Sequence, residues 1–233
     1  MSITKQSKYV GNLVKHFKSN RNIKLGTRME QYMRSQFTFL GIQSPQRKDL
    51  LKSFIADHGR PSNDQEIMEI YKQKEREFKY VAIELAAHQI KKTSDENRIK
   101  VYEEMASIEP FWDTIDIIGS KLVGGHFKLF PDQIKEYTTD KWANSDCFWK
   151  KRICIIFQLT YKKEVDIDLL FSFIEPNIYE KEFFLQKACA WALRSLSKTH
   201  HNVVFDYMQS HQDVSNMVKR EASKYLHKKK IKD

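Results

Sequence analysis

Trp112 and Asp116 stand four positions apart in the run Phe111-Trp112-Asp113-Thr114-Ile115-Asp116. Residues at that spacing share a helix face. A carboxylate beside an indole suits a positively charged reacting group. The carboxylate opposes the charge directly, and the ring face attracts it through its quadrupole. Gly119 continues the same face without a side chain and leaves room for an approaching group. The spacing is also compatible with a core tryptophan beside a surface aspartate. Asp113 lies about 100° round the helix and fits a capping or surface role.

A second chemical pattern is cationic. Lys187, Trp191, Arg194 and Lys198 follow one another at i, i+4, i+7 and i+11. That places an indole inside a basic helical stripe. A solvated charged face is the simpler alternative, but a large indole is seldom left in open solvent without use. The histidines His88, His126, His200, His201 and His211 are scattered and read as surface or satisfied side chains.

Helices must position these groups. Pro110 is tolerated in a first helical turn but not in a helix interior. With Ile115, Ile118 and Leu122 at helical spacing, a helix is expected to open there, and those three residues to point to a core face. Helical periodicity continues along the chain. Segments are expected around Tyr9–Phe17, from Gly26-Thr27 to Met33, from Ser44-Pro45 to Ile55, and over Gln65–Gln73, Arg76–Gln89 and Glu96–Met105. Further segments follow Pro131 and cover Trp149–Tyr161, Leu169–Phe173, Glu182–Ser197, Val203–Gln209 and Met217–Lys228. No segment combines alternation with turn signals well enough to suggest a strand.

The helices repeat. Phe78, Trp112, Trp149 and Phe184 lie 34, 37 and 35 residues apart, and Met217 follows 33 later. A degenerate period of that length with two helices per unit marks an α-solenoid, and its looseness suits HEAT-like repeats. Three positions after the anchors stand Ile115, Arg152, Lys187 and Arg220. If stacked repeats align equivalent positions, the last three form a basic ladder with rungs about 10 Å apart.

Composition agrees with a soluble all-α chain that meets a polyanion. The formal net charge is +10, and the chain contains seven glycines and five prolines. Such a basic balance favours nucleic acid first and an anionic membrane second. No apolar run approaches the roughly 20 residues that span a bilayer, and Met1–Lys5 lacks the apolar stretch of a signal peptide. A cytoplasmic protein is expected. Cys147, Cys154 and Cys189 are an odd number among apolar positions and read as reduced thiols. Without CxxC, HExxH or a tight His/Cys cluster, neither a metal nor a cofactor is expected. The tail Lys228–Lys232 reads as a solvated end.

Four stretches resemble one family. They are Phe37–Arg47, Phe111–Asp116, Trp149–Arg152 and Phe184–Arg194, and they occur in the order found in the AlkD-type DNA alkylation repair glycosylases. The resemblance implies HEAT-like repeats around a basic concave groove, over a single domain spanning residues 1–233. It implies a metal-free enzyme that removes cationic N3- and N7-alkylpurines from duplex DNA. Carried across, Trp112 and Trp191 match the two cleft tryptophans and Asp116 the catalytic carboxylate. Arg152 matches the cleft arginine and Arg194 a backbone-contacting arginine. A basic residue expected near Thr160 is missing, with Lys162 and Lys163 close behind.

The resulting expectation is a monomeric glycosylase with Asp116, Trp112 and Trp191 at its catalytic centre. Arg152, Arg194, Lys187, Lys198 and Arg220 are expected on DNA. A non-catalytic HEAT-like scaffold that binds DNA or a protein is the alternative.

Overall fold

The computed structural model describes residues 7–90 and 94–228. The segment read for a signal peptide, Met1–Lys5, and residues 229–232 of the basic tail lie outside the described residues. Within them the chain is all-helical, with no strand, and its helix order fits an α-solenoid of helical repeats. The backbone divides into two compact units, Met1–Ile108 and Glu109–Asp233.

The first unit contains α1 (Lys8–Lys18), α2 (Ile23–Tyr32), α3 (Ser44–His58), α4 (Asp64–Tyr71), α5 (Arg76–Ile90) and α6 (Arg98–Ser107). Its core joins Leu13 and Phe17 to Phe54, Ile70 and Phe78, all almost fully enclosed. The α2 helix starts earlier than Gly26-Thr27, because Asn22 caps it by accepting from the Leu25 amide at 3.0 Å. The segment between α2 and α3 is held by a buried carboxylate. Glu77 of α5 is fully buried and accepts the backbone amides of Leu40, Gly41 and Ile42 at 3.0, 2.9 and 3.1 Å. Gly41 takes φ +83°, and a Cβ there would meet the Asn22 carbonyl oxygen at 2.0 Å. Glycine is required at that position.

The second unit contains every residue of the candidate site. It runs through α7 (Trp112–Ile117), a π-helical stretch Ile118–Val123, α8 (Gly124–Leu129), a second π stretch Lys135–Trp142 and α9 (Phe148–Ile156). A 3₁₀ turn over Phe157–Thr160 follows α9. Then come α10 (Ile167–Ile174), α11 (Phe183–Leu196), α12 (His201–Ser210) and α13 (Asn216–Ala222), which continues as a 3₁₀ stretch, Ser223–Lys228. The repeat anchors Trp112, Trp149, Phe184 and Met217 fall at the starts of α7, α9, α11 and α13. Those helices pack in sequence, α7 on α9, α9 on α11 and α11 on α13.

Side-chain caps fix where the helices enter this layer. Glu182 accepts from the Phe184 amide at 3.0 Å and opens α11. Ser215 opens α13, accepting from the Val218 amide and donating to the Gln186 side chain of α11 at 2.8 Å. The helix begun by α7 widens after Ile117. There the Ser120 hydroxyl donates to the Asp116 carbonyl at 2.5 Å, a local side-chain to backbone bond of the kind that accompanies bent helices. Ile115, Ile118 and Leu122 are fully buried, on the core face their spacing indicated.

Gly119 does not border open space. A Cβ there would meet Ile156 Cγ1 at 2.9 Å and Ile153 Cγ1 at 3.5 Å. The wide turn carries this position onto α9, so the missing side chain serves close helix packing. Gly124 is tighter still, since a Cβ would meet the Phe157 carbonyl oxygen at 2.3 Å.

Candidate active site

Asp116 projects from the last turn of α7 toward α9. Arg152 answers it from there, its Nε donating to Asp116 Oδ1 at 2.8 Å. The same guanidinium donates through Nη1 to the backbone carbonyl of Phe184, near the start of α11. One side chain therefore ties three successive repeat helices. The Arg152 side chain is 2% exposed and that of Asp116 is 20% exposed. The carboxylate thus has one oxygen held by the protein and part of its surface open to an incoming group.

Burial raises the Asp116 pKa above its ordinary value. The Arg152 hydrogen bond and charge oppose that shift, Asp113 adds to it, and Lys187 opposes it. Lys187 lies exposed on α11, with its Nζ 5.4 Å from the Phe183 ring centroid. The site thus couples a carboxylate to one enclosed cation and one exposed cation.

Aromatic rings crowd the starts of the same helices. Phe111 lies 6.4 Å from Trp112, 5.8 Å from Trp149 and 5.7 Å from Phe184, centroid to centroid. Trp149 and Phe184 are 4.9 Å apart. This cluster fixes the entry of α7, α9 and α11 and so the position of Asp116. Trp112 is half-buried one turn before Asp116. Trp191 is also half-buried, on α11, and has no aromatic neighbour among the described residues. The two indoles make no ring contact with each other.

The expected basic ladder is broken at its first rung. Lys187, Lys198 and Arg220 are exposed, and among the described residues none of them pairs with a carboxylate. Arg152 instead turns inward, because Asp116 captures it. Its side chain is enclosed between Asp116 and the Phe184 carbonyl, unlike the exposed Lys187 and Arg220. Arg194 departs in another way: its Nη1 forms an ion pair with Glu221 of α13, both side chains being part-buried. Glu221 was not singled out from the sequence. The available signal was its solitude, as the only acidic residue from Asn216 to Leu226, among Lys219, Arg220 and Lys224.

The remaining titratable groups are placed structurally. His126 is buried against Gln133 at 2.8 Å, and His201 contacts the Leu226 carbonyl at 2.8 Å. Cys154 and Cys189 are buried and Cys147 half-buried; all three are free thiols, and burial pushes the Cys189 thiol up to about 12. Among the described residues, no cluster of three or more His, Cys, Asp or Glu is placed to hold a metal. In the same residues no helix is long and apolar enough to cross a membrane. A crevice between the turn after α9 and helices α10 and α11, lined by Leu159, Val165 and Leu196, includes none of the candidate residues. The carboxylate with its enclosed arginine is the arrangement with chemical potential.

Comparison with known proteins gives the family. A family model described as "DNA alkylation repair enzyme" matches residues 13–226. A solved structure described as "Predicted DNA alkylation repair enzyme from Enterococcus faecalis" is similar to this chain, with a TM-score of 0.79 at 32% sequence identity. The match covers 89% of this chain and 97% of that one. No curated protein matches. The chain belongs to the DNA alkylation repair enzyme family.

Proposed function

We propose that this protein is a monofunctional DNA glycosylase that releases cationic N3- and N7-alkylated purines from duplex DNA, working as a monomer without metal or cofactor. The observation that carries the reading is the Asp116 carboxylate, held by Arg152 at 2.8 Å yet partly exposed. Such a group cannot easily rotate away from a developing charge, and its orientation is set before substrate arrives.

Alkylation puts a positive charge on the purine. When the N-glycosidic bond breaks, its electron pair goes to the base nitrogen and the base leaves neutral. No general acid is needed, so a second carboxylate of the kind used in sugar hydrolysis has no task here. The positive charge passes to the deoxyribose as an oxocarbenium-like ion. Asp116 stabilises that charge and orients the water whose oxygen bonds to C1′, the water's proton passing to solvent. Preorganised electrostatics of this type contribute on the order of 10²–10³ in rate. The faces of Trp112 and Trp191 favour a cationic nucleoside, each by roughly 0.5–2 kcal/mol. Lys187, Lys198 and Arg220 neutralise backbone phosphates.

The direct test is to incubate the protein with duplex DNA carrying N7-methylguanine and N3-methyladenine, then to separate and identify the released bases. Free methylated purine and an abasic strand are the expected products. Binding without release would favour the scaffold reading.

A further inference from the structure

We propose that Glu221 competes with the DNA backbone for Arg194 and so holds that arginine in reserve in the free protein. The proposal rests on the reading of this face as a DNA-binding surface, but not on glycosylase chemistry.

The ion pair joins Arg194 of α11 to Glu221 of α13 across part-buried side chains exposed by 27% and 30%. Every other charged side chain along these elements is cationic. Helix α11 contains no carboxylate, and α13 with its 3₁₀ extension contains Glu221 alone, beside Lys219, Arg220 and Lys224. Lys198 packs its Nζ 4.9 Å from the Tyr225 ring centroid, so the basic stripe of α11 and the extension of α13 share one surface.

A carboxylate in that setting has two effects. It satisfies the guanidinium when no phosphate is present, sparing the part-buried cation a desolvated vacancy. It also has to be displaced, or shared, when a phosphate arrives. Charge-assisted Arg–carboxylate and Arg–phosphate bonds use the same planar donor fork. Arg194 is therefore a conditional contact, in contrast to the unpaired Lys187 and Arg220. Engaging it requires a phosphate close enough to replace Glu221, which makes this contact sensitive to the path of the backbone.

The test is a double-mutant cycle on binding of undamaged duplex, read as Kd against salt. Glu221→Gln should tighten binding by about fivefold at low salt, the size of a modest ion-pair competition. It should also steepen the log K against log salt slope by about one phosphate contact. In an Arg194→Gln background the same substitution should change Kd by less than twofold. Asp206→Asn on α12 controls for net charge and should also have little effect. A Glu221→Gln gain of equal size with and without Arg194 would mean general electrostatics and overturn the proposal. Weaker binding would mean that Glu221 orients Arg194, and would overturn it too. If Glu221→Gln lowers the melting temperature markedly, the wild type supplies the reading. Its Arg194 Nε resonance should shift on adding duplex, and an unmoved resonance would count against release from Glu221. Failure of base release with this cycle intact would sink the glycosylase reading alone.

Discussion

Arg152 Nε lies 2.8 Å from Asp116 Oδ1, with the guanidinium enclosed and the carboxylate partly open. The asymmetry assigns different work to the two partners. The arginine is part of the core and fixes the geometry, while the carboxylate keeps part of its surface open to solvent.

Removing the arginine should therefore damage the fold as well as the chemistry. Arg152→Met leaves Asp116 desolvated without its counter-ion, and breaking a buried pair costs about 2–4 kcal/mol where one partner still reaches solvent. Arg152→Lys should recover part of the stability, but not the paired contacts with Asp116 and the Phe184 carbonyl. Urea unfolding measures both variants. In the folded fraction, the salt dependence of DNA binding should match wild type for Arg152→Lys. Lys187→Ala and Arg220→Ala should each lower the slope by about one contact.

The pH dependence follows from the raised Asp116 pKa. The proposed role needs the carboxylate ionised, so single-turnover excision should rise with pH through a midpoint above that of an ordinary aspartate and then level off. In Arg152→Met the midpoint should move higher, because the hydrogen bond and positive charge that oppose burial are gone. For stability the sign is reversed. The folded state holds this proton more tightly than the unfolded chain, so the contribution is fully present below the unfolded pKa. It is lost as pH rises through the folded pKa.

Gly119, on the π-helical stretch, and Gly124, at the start of α8, should differ in tolerance. A Cβ at Gly119 would press on the Ile156 side chain, at 2.9 Å from Cγ1 and 3.1 Å from Cδ1, whereas one at Gly124 would meet backbone oxygen of Phe157 at 2.3 Å. Gly119→Ala should cost about 1–3 kcal/mol, as overpacking usually does, and Gly124→Ala clearly more. Denaturant midpoints of the two variants check the order. Equal costs would mean that the turn after α9 yields as readily as a side chain.

Much of this architecture was legible because helical periodicity and a loose repeat are local signals. The anchors Trp112, Trp149, Phe184 and Met217 do open alternate helices, and Ile115, Ile118 and Leu122 are core. Of the candidate site, the sequence offers the residue types, and the contacts less so. Spacing put Arg152 in line with Lys187 and Arg220, but a carboxylate 36 positions earlier decides which way it turns. An ideal 3.6-residue turn puts Gly119 beside open space, but the π stretch changes the register and sets it against Ile156. Glu77 under Leu40–Ile42 and Glu221 against Arg194 join segments distant in sequence. No helix-periodicity argument reaches such partners.

The central claim is that Asp116 acts on charge that appears only in the transition state. Asp116→Asn keeps the shape and an oxygen for Arg152 while removing the negative charge. The decisive measurement is single-turnover release of N7-methylguanine from duplex DNA, with Kd for the same duplex measured alongside. The account predicts that release falls by at least about 10²-fold while affinity stays level or rises slightly, since an anion is lost from a phosphate-binding face. Release at the wild-type rate by the folded variant would contradict it.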